Sequence, residues 1–582
     1  MNTKQNKLNI SRQSLAFAAL FVAGVLFMLW KAPYGFGGSD EAFYLTVPYR
    51  LTLGDRLFFD EWHMSQLASF FTLPFVALYT RVNGSTEGLM LAARYAYIAF
   101  HALFALILYL RLKKYGAFSV AASMLFLLFT PFDMMCYSYN TVALDTLVLA
   151  GAFAGTAQKE KRADKVIAGT FFACAVVCCP YLAAVYVLYI LLTVLYSAMK
   201  KKAHGVIWDN EVFTYRFFGL VTCGVAIVSV LFAVFFFTHC SVSELIASFP
   251  GVLSDPEHPS YTIVFMLKHY VYCLVTAHKF MLLPLALYAA SLVWLALDKK
   301  RREHKHIHLL LASFCALLCF FLFAKELTQS YYNGIMFPLC FVGFTAYLLL
   351  ENKPRGLFAA FFALGISYSL CVCATSNMGF DVLSMALCVS SVASCVFIGM
   401  MINELSALNK PQRRILRAAG LVPLACLFAF MITVKAVHCF WDATPAALDS
   451  KIPAGAARGI VTSERLANDY MRIYDDMRSY ETQTPGKLFI YAQETWCTLL
   501  LPTGYESASF SAWLSGQDEI TEARLAMYYK INADKYPDYV YIPKDNAFAQ
   551  PGLDFVRIYA EAEQNGYTVR ENDVSWKLER AK

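Results

Sequence analysis
The chain has 582 residues, 58% of them apolar and 16% aromatic, with only 16% charged and a formal net charge of +7. A soluble domain carries roughly 25% charged residues, so the composition excludes an ordinary soluble enzyme, and no nucleic-acid partner is expected. Repeated apolar runs of about 17–22 residues, each able to cross a hydrocarbon core near 30 Å thick, define a polytopic α-helical membrane protein in contact with membrane lipids.

The first run, 15–29, is followed by no small-residue cleavage site and by many further runs, so it reads as a retained signal-anchor. Basic clusters mark the cytoplasmic side of such a protein. They stand at Lys4/Lys7/Arg12, Arg111/Lys113/Lys114, 159–165, 200–202, 299–305, Lys353/Arg355 and 410–417. The loops 31–65, 133–139, 239–261, 325–332 and 375–381 between them hold few basic residues. Crossings near 14–30, 89–110, 117–132, 140–157, 165–180, 181–198, 217–238, 281–298, 308–324, 334–350, 356–374, 382–402 and 417–437 satisfy every cluster. That is about thirteen spans, with a cytoplasmic N-terminus and an extracytoplasmic C-terminal segment. The run 66–82 is apolar enough to cross, but a crossing there would put residues 111–114 outside. It is expected as a partly inserted or re-entrant helix whose ends are buried in protein.

From about residue 439 the composition changes. Residues 440–582 carry a net charge of −6, against +13 before them. Short β-rich runs at 488–491, 539–542, 555–559 and 574–578 alternate with helical patterns at 463–480 and 521–531, which predicts a small α/β domain. The expected organisation is therefore a transmembrane catalytic module over 1–438 and an extracytoplasmic α/β domain over 439–582. Most of the seventeen cysteines lie inside apolar runs and pack as small apolar residues. Cys439 and Cys497 fall outside them and are candidates for pairing.

The residues that carry chemistry begin in the first outer loop, where Gly37-Gly38-Ser39 leads into Asp40-Glu41. Residues 40–53 have helical periodicity, with Tyr44, Val47 and Leu51 on one face and Gly54-Asp55 ending the run. Such a helix would lie along the membrane surface, and its dipole would stabilise an ionised Asp40 at the N-terminus. An N-cap role accounts for the same position. A second acidic group, Asp60-Glu61-Trp62-His63, offers carboxylates and an imidazole for a divalent cation or an acceptor hydroxyl; Trp62 as an interfacial anchor is the plainer alternative. Tyr137, Tyr139 and Asn140 at a membrane exit suit sugar or phosphate contacts, or an aromatic belt. Asp145 lies within a predicted span, where a carboxylate is costly and usually functional. Lys325, one of the few basic residues in the outer loops, is placed to hold an anionic group. His304, His306 and His308 stand among Lys and Arg, a poor setting for a metal.

This pattern resembles the GT-C membrane glycosyltransferases, in particular the branch of protein O-mannosyltransferases and lipid A aminoarabinose transferases. The resemblance rests on Asp40-Glu41-x-x-Tyr44 after the first span, on Gly54-Asp55, on Gly84-Ser85-Thr86-Glu87-Gly88 with Arg94, and on the Tyr137-Ser138-Tyr139-Asn140 loop. Good matches cover roughly 14–160. It implies that Asp40 is the catalytic residue, with Glu41 beside it. The family often has Pro-Pro-Leu, sometimes preceded by a phosphate-binding lysine, where this chain has Met64-Ser65-Gln66-Leu67. Arg50, Arg56 or Lys325 would then hold the phosphate.

The function so implied is transfer of a hexosyl or pentosyl group on the outer face of the cell membrane. The donor is a sugar linked to polyprenyl phosphate, and the acceptor is a hydroxyl on a lipid, cell-wall polymer or protein. Asp40 acts as general base, and the anomeric centre inverts. A transporter or flippase for a lipid-linked glycan, and a cell-wall glycan polymerase or ligase, are the alternatives.

Overall fold
The computed structural model describes residues 12–202, 210–253, 262–276, 278–323, 336–376, 382–404, 410–492, 495–510, 519–544 and 555–581. Every expected crossing coincides with a helix, but the helices are of two kinds. Among the described residues, nine are long and apolar enough to span: Arg12–Lys31, Leu89–Tyr115, Pro180–Met199, Tyr215–His239, Lys279–Leu297, Lys305–Leu322, Arg355–Thr375, Leu387–Glu404 and Pro411–Val437. The other four, Phe118–Leu128, Tyr139–Thr156, Arg162–Cys178 and Phe337–Leu349, are shorter or less apolar.

Burial varies widely among them, and Leu387–Glu404 is mostly enclosed although it is long enough to span. Helix α1 (Arg12–Lys31) buries a narrow stripe, Phe17, Gly24 and Met28, and leaves Leu15, Leu20, Val22 and Leu26 exposed, as a lipid-facing helix does. Phe118–Leu128, Tyr139–Thr156 and Phe337–Leu349 are buried on nearly every face, so they form the centre of the bundle. Arg162–Cys178 crosses Tyr215–His239 through two glycines, Gly169 and Gly224. A Cβ on either would collide with the opposing backbone, at Val221 and Val166 respectively. Without a hydrophobic driving force between helices in lipid, such close backbone approach is a main source of association.

Two helices appear where the sequence suggested an outer loop or none. Val242–Leu253 fills much of 239–261, and Ile263–Thr276 follows it. Helices α2 (Gly38–Thr52) and α3 (Ser69–Asn83) form a hairpin beneath the C-terminal segment, with the 3₁₀ turn Met64–Ala68 between them. The Thr46 hydroxyl donates to the Thr495 carbonyl at 3.1 Å, and Lys535 pairs with Asp55 just past the end of α2 at 2.7 Å. Before α3, Arg524 donates to the Trp62 carbonyl at 2.9 Å; after it, Thr86 donates to the Leu499 carbonyl at 2.6 Å. Both ends of α3 therefore meet the same segment, and the helix does not run through the bundle.

The C-terminal segment builds a mixed five-stranded sheet. A two-residue pair, β1 (Ser450–Lys451) and β2 (Val461–Thr462), precedes it. The sheet has order β4-β3-β5-β7-β6. Its strands are β3 (Lys487–Ile490), β4 (Glu506–Ser507), β5 (Tyr539–Pro543), β6 (Tyr567–Glu571) and β7 (Ser575–Arg580). β3 is parallel to β4 and β5, while β7 pairs antiparallel with β5 and β6, placing Val540 opposite Leu578. The helices Glu464–Met477 and Glu519–Ile531 fall where expected. The run 555–559 does not: it opens the helix Phe555–Gln564. Its apolar residues Phe555, Ile558, Tyr559 and Ala562 recur at helical spacing, and the aromatic and β-branched opening disguised that period. Cys439 and Cys497 are both buried, and no disulfide joins them.

Candidate functional site
The turn between α1 and α2 is shaped by glycine. Gly35 and Gly38 take φ of +89° and +56°, and Gly37 caps α2 without a side-chain bond. Asp40 and Glu41 therefore fall in the first turn of α2, where exposed N–H groups favour negative charge, and Asp40 is not the N-cap.

The two carboxylates have different fates. Glu41 is buried and receives Arg94 bidentately, Nε at 2.5 Å and Nη2 at 2.6 Å. The remaining Arg94 hydrogens reach the carbonyls of Ala32 at 2.6 Å and Gly35 at 2.7 Å. One guanidinium thus fixes both the turn and the start of α2. Removing one partner of such a buried pair costs about 3–5 kcal/mol. Asp40, the neighbouring residue, is exposed.

Tyr44 lies one turn after Asp40 on the same face and meets the Tyr139 ring edge-on, 5.9 Å between centres. Burial pushes the Tyr44 phenol well above its usual range, and Tyr139 and the Asp40 carboxylate add to the effect. Tyr139 and Asn140 are held by the start of Tyr139–Thr156, whose cap Ser138 forms a reciprocal capping box with Thr141. Tyr137, two residues earlier, points instead at Tyr97, Phe100 and Phe75. The sequence does not single out Tyr181 and Tyr368, which lie within electrostatic range of Tyr139. Tyr181 follows the helix break at Pro180, a usable signal; Tyr368 sits inside an apolar helix and gives none.

The second acidic group is spent on arginines. Arg50 is buried and bonds Asp55 at 2.7 Å, Glu61 at 2.8 Å and the Asp60 carbonyl at 3.0 Å. Burial opposes its charge, but Asp55 and Glu61 outweigh it and raise its pKa. Arg56 is bound by Asp60 at 2.9 Å and by Glu244 at 2.7 Å. His63 accepts a hydrogen bond from the Ser65 amide at Nδ1 and packs its ring 3.8 Å from Phe43. Asp60, Glu61 and His63 are thus not assembled as metal ligands, and among the described residues no three His, Cys, Asp or Glu side chains form such a group. Arg50 and Arg56 are not placed as open phosphate holders, because carboxylates already take their charge. Lys325 lies outside the described residues.

Two lysines at span ends escaped the sequence reading. Lys435 pairs with Asp133 at 2.6 Å and donates to the Thr130 hydroxyl, while Lys31 donates to the Lys435 carbonyl at 2.9 Å. Their signal was a lysine at the outer end of a predicted span, against the positive-inside pattern. Lys31, together with Glu41, Arg94 and Asp133, lines one narrow cleft, and Lys435 reaches it only through its bond to Asp133. Asp145 is wholly buried, with His101 Nδ1 at 2.8 Å; His101 Nε2 faces the Phe126 carbonyl at 3.0 Å.

The fold and site define a class: a multi-pass membrane protein with a mostly buried helix that opens on Asp40-Glu41 and packs against the C-terminal segment. No family model matches the chain, and no curated protein matches it. Among solved structures it is similar to an archaeal oligosaccharyltransferase, AglB from Archaeoglobus fulgidus, determined in complex with an inhibitory peptide and a dolichol-phosphate. Identity is 12% and the TM-score 0.39, over 97% of this chain and 74% of that one.

Proposed function
We propose that this chain is an inverting membrane glycosyltransferase that takes its sugar from a polyprenyl-phosphate donor on the outer face of the membrane. The observation that carries the reading is the division of labour at the start of α2: Glu41 is locked to Arg94 while Asp40 stays exposed beside Tyr44. Asp40 takes the proton of an acceptor hydroxyl as that oxygen bonds the anomeric carbon. The bond from that carbon to the phosphate oxygen breaks, and the lipid phosphate leaves with the electron pair. One displacement inverts the centre.

Tyr44 and Tyr139 orient sugar or acceptor hydroxyls as donors and acceptors. Lys325 is the proposed neutralising partner of the departing phosphate, since Arg50 and Arg56 are committed to carboxylates. The donor's polyprenyl tail lies in the membrane, and a hydroxyl on a lipid, wall polymer or protein is the acceptor.

The test uses purified protein and a labelled polyprenyl-phosphate sugar. Asp40→Asn should lose turnover yet retain lipid binding. Full turnover in Asp40→Asn would overturn the mechanism.

A further inference from the structure
The C-terminal sheet carries a cavity of about 220 Å³ that the proposed transfer chemistry does not use. By volume it has room for about seven waters at roughly 30 Å³ each, the scale of a sugar ring. Tyr480 and Tyr539, both buried, close one wall of it, and Gln483 and Asn572 give it amides.

The charges around the cavity cancel locally. Arg570 pairs with Glu579 at 3.2 Å, Lys577 is bound by Asp476 and the Ser479 hydroxyl, and Glu571 is bound by Lys544 and the Tyr559 hydroxyl. No net charge is presented to a ligand. Two polar atoms are nevertheless left over: Tyr480 is 1% exposed with its hydroxyl unpartnered, and Gln483 Oε1 also lacks a partner. A buried polar group without a partner is costly, so an apolar ligand does not suit the cavity. An anion meets no excess cation there.

We propose that this cavity is a second binding site, for a neutral carbohydrate, separate from the Asp40 site. A sugar hydroxyl both donates and accepts, which suits the Tyr480 hydroxyl and Gln483 Oε1 together. A site of this kind would let the C-terminal segment hold a glycan-bearing acceptor or product.

The experiment uses the full chain in nanodiscs and saturation-transfer NMR with four neutral probes: cellotetraose, chitotetraose, maltotetraose and mannotetraose. At least one should receive saturation. Tyr480→Phe and Gln483→Ala should each weaken it by about tenfold, the effect of one lost hydrogen bond, with an unchanged melting temperature for Tyr480→Phe. Asp40→Asn should bind the probe as wild type does, so failure of the transfer mechanism and failure of this site are distinguishable. No transfer to any of the four sugars would overturn the proposal. So would binding unaffected by both substitutions.

Discussion
The dipeptide Asp-Glu occurs twice between the first long apolar helix and α3, at 40–41 and 60–61, and the two copies end differently. In the second, both carboxylates are buried and each is matched by an arginine, Asp60 by Arg56 and Glu61 by Arg50. In the first, one arginine serves one carboxylate: Arg94 takes Glu41, and Asp40 remains exposed. What separates the two copies is burial, not the sequence of the acidic pair: Asp60 and Glu61 are both enclosed, while of the first pair only Glu41 is.

Substitution can break that comparison. The largest effect is expected at Asp40. Asp40→Asn should reduce turnover by about 10²–10⁴-fold, the usual contribution of a general base, with no loss in melting temperature. Asp60→Asn should keep most of its turnover per folded molecule. Kinetics alongside a thermal melt distinguishes the two, and equal rate losses would show that both acidic pairs serve the chemistry.

Next in size is the Glu41–Arg94 pair. Glu41→Gln should cost stability, about 3–5 kcal/mol, by leaving Arg94 buried without its counter-charge. Arg94→Lys should not rescue the fold, because an ammonium cannot reproduce the bidentate fork or reach the Ala32 and Gly35 carbonyls at once. A denaturant or thermal series reads this directly. A Glu41→Gln protein as stable as wild type would mean the pair does not hold the turn.

A smaller effect is expected where the second acidic region docks the C-terminal segment. Lys535→Met leaves Asp55 with Arg50 alone. Its expected cost is about 1–3 kcal/mol, that of a buried group losing one charged hydrogen bond. Limited proteolysis should then cut between the bundle and the sheet faster than in wild type. Unchanged cutting would show that Arg524, Tyr528 and Asn532, which hold the loop carbonyls, suffice without Lys535.

Much of the architecture was legible because its causes are local. Apolar runs and lysine clusters place helices at every expected crossing, and short β-rich runs mark β3, β5 and β7. The misread segments are those where period and composition disagree. Residues 555–559 look like a strand and begin a helix, and 242–253 is amphipathic enough to fold on Trp62 and Arg524 where a loop was expected. The site was legible only as an inventory. Asp40, Tyr44 and Tyr139 could be named from position, but the fate of each charge depends on partners far along the chain. Arg94 is 53 positions from Glu41, and Lys435 is 302 from Asp133. No local pattern reports such pairings.

The smallest expected effect sharpens the role of the exposed carboxylate's neighbour. Tyr44→Phe removes one hydroxyl, and a loss of about tenfold in rate is expected for one hydrogen bond to substrate. Burial, then Tyr139, then Asp40, raises the Tyr44 phenol, so the folded protein holds this proton more tightly than the unfolded chain does. Its contribution to stability is complete below the ordinary tyrosine value of about 10 and is lost only as pH rises through the higher folded value. The rate profiles of wild type and Tyr44→Phe should therefore run parallel from about pH 6 to 10. A limb in wild type below about pH 10 that vanishes in Tyr44→Phe would show the phenol titrating there. Tyr44 would then be a proton carrier for Asp40 instead of a neutral hydroxyl that orients the sugar.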